Sequence, residues 1–263
     1  MTINSGRENA LALRNSDLLR VIFRSFTFQG SWNFKRMQNL GFAFSILPAL
    51  RRIYSDPKER EAAARRHLEY YNSHPYMASF VLGAIVRMEE KHSLGENIQI
   101  EDILLFKKAM MGPMGALGDS FFWASWRPVI GVLAAAMSLA GWIFAPLAFL
   151  FVYNIPHLYV KFFGFLKGYT LDRRVVERIR KYDLFRYSAY LKSFMLIILG
   201  AMIPVVIKLG VDRSSPALNA LSSVGVLLGI LAIAEIFRHK VSLNKVLLIA
   251  GSICILLGIL NIV

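Results

Sequence analysis

Long apolar runs dominate the second half of the chain. No side chain from residue 128 to residue 160 carries a formal charge, and neither do the runs 193–207, 214–234 and 246–263. As one helix, the first run would be about 50 Å long, which exceeds a bilayer core of roughly 30 Å. Prolines lie within it, so we predict a hydrophobic hairpin over 112–166, with re-entrant halves, followed by three C-terminal transmembrane helices over 193–263.

The first half alternates polar and apolar stretches. Short polar side chains at Asn15–Asp17 predict a helix start, and that helix should run to about residue 28. Asp56, Pro57 and Glu59 predict the start of a charged helix reaching about Tyr71. Segment 29–50 begins polar and ends apolar, which suits a protein-lined part of the bilayer. Residues 1–111 are therefore predicted to be a cytoplasmic or interfacial helical region with this one embedded segment.

Composition and charge sharpen the prediction of fold class. Residues of the AVILMFWYC set make up 56% of the chain and mean hydropathy is +0.47, yet Lys and Arg outnumber Asp and Glu by 31 to 17. The positive charges are separated by long apolar runs, a pattern typical of cytoplasmic loops and not of a nucleic-acid-binding face. An all-α integral membrane protein with basic cytoplasmic loops is the class that fits.

Charge also predicts a topology. Segment 167–192 carries an excess of Lys and Arg and is expected to be a basic cytoplasmic segment. The loop 208–213 is then outside, the basic loop 238–245 inside and Val263 outside. A cytoplasmic N-terminus requires an even number of crossings before residue 167, which the predicted hairpin supplies.

The residues offer little for catalysis or metal binding. Cys254 is the single cysteine, so no intrachain disulfide can form. The five histidines lie in no metal motif and beside no serine or cysteine nucleophile, and no cofactor is expected.

A glycine-rich stretch, Met111 to Asp119, precedes the longest apolar run. Gly112, Gly115 and Gly118 recur at period three, and Gly112-Pro113 predicts a turn that interrupts regular helix. Irregular backbone at membrane depth marks substrate cavities in transporters, whereas small residues also allow close helix packing. Both interpretations stay open at this point.

Two further groups carry candidate chemistry. Asp119 is the one acid in this apolar region and is either functional or a structural cap. Gln29 to Asn33 place amides, a hydroxyl and the Trp32 indole together, as in many sugar sites, although helix capping beside an interfacial tryptophan explains the same pattern.

These residues resemble a family, the IID membrane component of the mannose, fructose and sorbose class of bacterial sugar phosphotransferase systems. Four blocks carry the resemblance, in the family's order: RSFTFQGSWNFKRMQNLGFAF from Arg24, LPALRRIY from Leu47, RHLEYYNSHP from Arg66, and MMGPMGALGDSFFWASWRP from Met110. They cover most of the first half. The C-terminal third is similar mainly in hydrophobic character.

The resemblance implies a non-catalytic subunit that pairs with a IIC partner, usually as a trimer of such pairs. Phosphoryl transfer would use histidines of the IIA and IIB components. By the family pattern, the residues expected near the sugar path are Ser31, Trp32, Asn33, Gly112, Gly118 and Asp119. Segment 167–192 or the helix from Pro57 is expected to dock IIB.

Two other classes of function remain as alternatives. A scaffold or assembly subunit that transports nothing would use the same blocks for packing. An intramembrane enzyme using Asp119 lacks a second catalytic group in the sequence. The sequence does not say which sugar is carried, because part of the pocket belongs to another chain.

Overall fold

The computed structural model describes residues 13–211. The chain divides into two compact units, Met1–Ile198 and Leu199–Val263, and only the first is described in depth. The predicted spans 214–234 and 246–263 lie outside the described residues. Within residues 13–211 the structure is helical, and the only β pairing is two isolated bridges.

The N-terminal half contains five helices. They are α1 (Asn15–Ser25), α2 (Asn39–Ile53), α3 (Pro57–His67), α4 (Ala78–Ser93) and α5 (Ile100–Gly118). Local capping explains several starts, since Asp17 accepts a hydrogen bond from the Arg14 N–H and Asp56 accepts one from the Lys58 N–H. The α3 start was therefore predicted correctly, but the helix ends at His67, four residues before the predicted Tyr71.

The predicted turn in the glycine-rich stretch is wrong. Helix α5 continues through Gly112 and Pro113 to Gly118, and a π-helical segment, Asp119–Trp126, follows it without a break. A proline inside a helix removes one hydrogen bond and bends the axis, but neighbouring segments at membrane depth can compensate for the loss.

The hydrophobic hairpin is present. It consists of α6 (Arg127–Leu139) and α7 (Ala145–Tyr159), which pack against each other. They are joined at residues 140–144, where Gly141 has a φ of +88°, a conformation that strongly favours glycine. Pro146 lies in the first turn of α7, a position where the missing N–H costs nothing.

The chain then continues through a second π-helical segment, Val160–Gly164, into short helices. These are α8 (Phe165–Leu171), a 3₁₀ turn (Asp172–Arg174) and α9 (Val175–Arg180), before the long α10 (Leu184–Val211). Residues 193–207 of the predicted C-terminal span lie within α10.

Helix α8 packs closely against α4. A side chain at Gly83 would overlap the backbone of Phe165, and one at Gly168 would overlap the backbone of Phe80. This contact ties the chain after the hairpin to the N-terminal helices.

One hydrophobic core joins α1 to α5 with α8 and α9. Its fully buried members include Val21, Phe42, Ile46, Leu50, Leu82 and Ile85. Outside that core, the hairpin and α10 expose large apolar side chains, among them Trp142, Ile143, Phe144, Phe151 and Ile197. Three helical stretches, Ile100–Leu139, Ala145–Arg180 and Leu184–Met202, are long and apolar enough to cross a membrane. The described part of the chain is therefore an all-α membrane protein whose hairpin and α10 expose apolar side chains.

Candidate functional site

A tight turn follows α1, and Asn33 organises it. The Asn33 amide donates to the Asn39 side-chain oxygen at 3.0 Å and to the Met37 carbonyl at 3.3 Å, and its oxygen accepts from the Arg36 N–H at 2.8 Å. Met37 adopts a positive φ of 54°, which closes the turn. The amide of Asn33 is thus engaged within the chain, in a positioning role that the sequence did not distinguish from a binding role.

Ser31 and Trp32 lie on the outside of the same turn. The indole of Trp32 is 54% exposed, and its ring is tilted against the Phe34 ring with centroids 6.4 Å apart. Ser31 is exposed beside it. An exposed indole next to a hydroxyl can stack on a sugar ring or pack against another subunit.

The segment Tyr71–Pro75 joins this turn to α5. The Gln38 amide exchanges two hydrogen bonds with the Ser73 backbone, at 2.8 and 3.2 Å. The Ser73 hydroxyl in turn donates to the Met111 carbonyl at 3.1 Å. Three of the four sequence blocks therefore meet here, and we call this arrangement the three-segment site: residues 29–38, 71–75 and 110–119.

The glycines of α5 differ in what they contact. A side chain at Gly118 would overlap the His74 ring, whereas nothing lies within 4 Å of the position a side chain at Gly112 would occupy. Gly118 is thus a close-packing position, and Gly112 is open. Asp119, the first residue of the π-helical segment, is exposed.

An aromatic cluster lies on the other side of His74. The His74 ring stacks on Phe122 at 5.3 Å between centroids, and Tyr76 stacks on His157 at 3.8 Å. The Tyr76 and Tyr153 hydroxyls share a hydrogen bond of 3.2 Å. Because residues from α7 and the π-helical segment both take part, the cluster connects the three-segment site to the hairpin.

A buried ionic cluster lies where α3 packs against α4, just before residues 71–75 in the chain. Sequence reasoning missed it. We call Tyr54, Arg66, His67 and Glu89 the Glu89 cluster. The carboxylate accepts from Arg66 at 2.5 and 2.8 Å, from the Tyr54 hydroxyl at 2.7 Å and from His67 at 2.8 Å. The Glu89 side chain is completely buried. Four hydrogen bonds from three residues, Tyr54 directly after α2 and Arg66 and His67 on α3, thereby fix how α2 and α3 pack against α4.

Protonation in the Glu89 cluster follows from burial and hydrogen bonding. Burial alone would raise the pKa of Glu89, but the hydrogen bonds from Arg66 and His67 outweigh it and hold that pKa below its ordinary value. Burial lowers the pKa of His67 in spite of its carboxylate partner. We therefore assign an ionised Glu89 and a neutral His67 that donates through Nε2, which makes this contact a hydrogen bond and not a salt bridge.

Two buried lysines extend these contacts. Lys107 of α5 donates to the His67 carbonyl at 3.0 Å and lies 4.3 Å above the Phe42 ring. Lys161, in the second π-helical segment, donates to the Ser25 carbonyl at 2.7 Å. Lys107 thus binds the last residue of α3, and Lys161 binds the last residue of α1. Each lysine is too far from its acceptor in the sequence for local spacing to predict the contact.

The described residues offer no metal-binding group, since no three His, Cys, Asp or Glu side chains converge within residues 13–211. What the three-segment site offers is an exposed indole and hydroxyl, an exposed carboxylate at Asp119, and a rigid buried support. Such a surface suits binding and guidance of a polar solute or a partner chain.

Comparison with known proteins agrees with this architecture. The family model of the mannose/fructose/sorbose IID component of phosphotransferase systems matches residues 12–263. The mannose-specific IID component of Escherichia coli K12 is 37% identical over 192 residues, which cover 73% of this chain and 68% of that protein. The fructose permease IID component of Bacillus subtilis is 30% identical, covering 74% of this chain and 71% of that protein.

Solved structures show the same fold. One, described as a membrane protein, has a TM-score of 0.74 at 30% identity and covers 94% of this chain and 97% of its own. Another, the mannose transporter ManYZ in complex with microcin E492, has a TM-score of 0.60 at 31% identity and covers 95% and 96%. The resemblance seen in the sequence is confirmed: the chain belongs to the IID family, the membrane components of mannose-type sugar phosphotransferase permeases.

Proposed function

We propose that this IID subunit pairs with a IIC subunit, and that the pair moves a sugar across the cytoplasmic membrane while IIA and IIB phosphorylate it. The pair would alternate access between the two sides and release the sugar inward as its phosphate. We further propose a trimer of such pairs, a cytoplasmic N-terminus and no catalytic role for this chain. The similarity to the mannose transporter ManYZ supports transport by a membrane complex.

The meeting of three sequence blocks in the three-segment site is the observation that carries the proposal. The 29–38 turn and α5 are both hydrogen bonded to the 71–75 segment, through Gln38 and Met111. Lys107 of α5 donates to the His67 carbonyl at the end of α3, shortly before that segment begins, and His67 also contacts Glu89 of α4. A rigid support under exposed polar and aromatic groups is what a solute path or a subunit interface requires.

The six predicted residues then divide by role. Ser31, Trp32 and Asp119 are exposed and are proposed to face the sugar path, with Gly112 leaving space beside them. Asn33 and Gly118 are proposed to act indirectly, by shaping the turn and by packing under His74.

The basic surface proposed to dock IIB is segment 167–192. Arg173, Arg174, Arg178 and Arg180 are all exposed there. Helix α3 is the second candidate, but its exposed bases alternate with Glu59 and Glu61, so its face is less uniformly positive.

The alternative function is scaffolding without transport. One observation favours it: the Asn33 side chain is hydrogen bonded within the chain and not offered to a solute. Trp32→Ala separates the two functions, because its exposed side chain can be removed without disturbing the core. We expect uptake of radiolabelled sugar to fall by about threefold to tenfold, the effect of losing one aromatic stacking contact, with the complex intact.

Trp142→Ala is the matched control, since Trp142 is 63% exposed at the tip of the hairpin. It should leave uptake unchanged. Loss of complex assembly in Trp32→Ala would favour the scaffold, and unchanged uptake would remove Trp32 from the sugar path. Normal uptake after deletion of the whole chain, with its partners retained, would rule out the transport role.

A further inference from the structure

A concave basic surface lies between α1 and α2, away from the three-segment site. It is a cavity of about 540 Å³ lined by Arg14, Ser16, Asp17, Arg20, Arg24, Pro48, Arg51 and Arg52. We call it the arginine pocket. Helical spacing explains its composition, because Asp17, Arg20 and Arg24 share one face of α1 while Pro48, Arg51 and Arg52 share one face of α2.

The charge in the arginine pocket is unbalanced. Asp17 is the one carboxylate among the described residues that line it, against five guanidinium groups. That carboxylate is already engaged with the Arg14 N–H at 3.3 Å and with Arg20 at 3.6 Å. The Nε of Arg52 is buried and has no hydrogen-bond partner within residues 13–211. A buried donor without a partner costs free energy, so a hydrogen-bond acceptor bound beside Arg52 would lower that cost.

Guanidinium groups favour one class of ligand. Their planar forks match the oxygens of a phosphate or carboxylate, and several of them around one cavity suit a phosphate group in particular. At about 540 Å³, the cavity is large enough for a phosphate with a glycerol group attached.

Apolar side chains continue the arginine pocket on one side. Leu19, Phe23 and Phe44 are 46%, 61% and 47% exposed on the same two helices. The Arg24 guanidinium lies 4.4 Å above the Phe44 ring and donates to the Phe44 carbonyl at 3.3 Å, so it marks the border between the charged and apolar surfaces. Charge at one end and exposed apolar groups at the other match an amphipathic ligand.

We propose that the arginine pocket binds the headgroup of an anionic phospholipid, with the phosphate between Arg20, Arg51 and Arg52 and the acyl chains along Phe23 and Phe44. Basic pockets beside membrane helices bind anionic lipid by this chemistry. The lipid would fasten α1 and α2 to the bilayer surface. This proposal does not depend on the sugar path.

Native mass spectrometry of the purified IIC/IID complex tests the proposal, with phosphatidylglycerol and phosphatidylcholine as the added lipids. We expect phosphatidylglycerol to bind and phosphatidylcholine not to. Arg51→Gln/Arg52→Gln should weaken phosphatidylglycerol binding by about thirtyfold, the effect of two basic groups near a membrane surface. The Arg20 side chain is 70% exposed, so the single variant Arg20→Gln should disturb the fold least. We expect it to weaken phosphatidylglycerol binding less than the double variant does.

Lys58→Gln/Arg65→Gln is the matched control, because it removes two exposed positive charges of α3 that do not line the pocket. It should change binding by less than about twofold. Equal losses in the control and the pocket variant would overturn the proposal, and so would unchanged binding in both pocket variants. Displacement of the lipid by millimolar inorganic phosphate would assign the pocket to a soluble phosphate instead.

Discussion

The N-terminal helices α1 to α5 and the hairpin α6–α7 differ in which side chains they bury and which they expose. The first region buries charged groups, including Glu89 and Lys107, within a hydrophobic core. The hairpin instead exposes its largest apolar side chains, such as Ile143 at 83% and Phe151 at 72%. The two regions are therefore specified differently: by directional hydrogen bonds in the first and by apolar side chains that face outward in the second.

The comparison also explains why the candidate site lies in the N-terminal region. Apolar packing against lipid places a helix at a certain depth but does not fix individual side chains. A buried ionic network, in contrast, fixes its members through directional hydrogen bonds, and Glu89 accepts four of them. The three-segment site is attached to such a network through His67 and Lys107.

The largest expected effect comes from breaking the buried network. Glu89→Ala would remove the carboxylate that accepts from the Arg66 guanidinium and the Tyr54 hydroxyl, and leave a buried positive charge without its counter-charge. Removing one member of a buried ion pair costs about 3–5 kcal/mol of folding free energy. We expect a large loss of thermal stability in the purified complex, measured by intrinsic fluorescence, together with loss of sugar uptake.

Glu61→Ala is the matched control for that change. Glu61 pairs with Arg65 at 2.7 Å, but both side chains are more than 60% exposed, at 62% and 76%. Such surface pairs contribute about 0–1 kcal/mol. A Glu61 variant as unstable as the Glu89 variant would show that burial does not distinguish the two regions as argued.

A smaller effect is expected from the glycines of α5. Gly118→Ala places a methyl group against the His74 ring, and overpacking of this kind costs about 1–3 kcal/mol. Gly112→Ala meets nothing within 4 Å and should be neutral or slightly stabilising, because alanine favours helix over glycine by about 0.5–1 kcal/mol. The melting temperatures of the two variants, each measured in the purified complex, test this difference in stability.

Sugar uptake by the Gly112→Ala and Gly118→Ala variants distinguishes an effect on packing from an effect on transport. If the path proposed beside Gly112 is correct, Gly112→Ala lowers uptake although stability is retained. Gly118→Ala lowers both together. Equal stability in the two variants would contradict the close packing of Gly118 under His74.

How far the sequence predicts this structure depends on whether the deciding interaction is local. The α3 start at Asp56-Pro57 is set by neighbouring residues and was predicted correctly. The hairpin was predicted because 128–160 is too long for one crossing. The turn at Gly112-Pro113 was wrong, because a local helix breaker was overridden by packing against the distant 71–75 segment.

The candidate site shows the same limit. Sequence blocks identified its segments, but not which side chains face inward. Asn33 and Trp32 are adjacent in sequence, yet one is hydrogen bonded within the chain and the other is exposed. The Glu89 cluster joins residues 22 to 35 positions apart, a pairing that no local spacing indicates.

The smallest expected effect is a pH dependence to which the N-terminal region contributes through His67. Burial lowers the pKa of His67 below its ordinary value of 6.5, so the folded protein binds fewer protons than the unfolded chain below that pH. The stabilisation is therefore complete above about pH 6.5 and is lost as the pH falls, by at most about 1.4 kcal/mol per pH unit. Melting temperatures of the complex should decrease from pH 7 to about pH 5, a range above the ordinary pKa of Glu89 near 4.5.

His67→Gln tests the assignment, since a glutamine amide can still donate to Glu89 but does not titrate. We expect a shallower decrease over the same pH range and a similar melting temperature at pH 7. Part of the decrease should persist, because burial also lowers the pKa of His74 to about 3. An unchanged decrease in His67→Gln would contradict a lowered pKa of His67 in the folded protein. A steeper decrease would mean that His67 is charged there and that its contact with Glu89 is an ion pair.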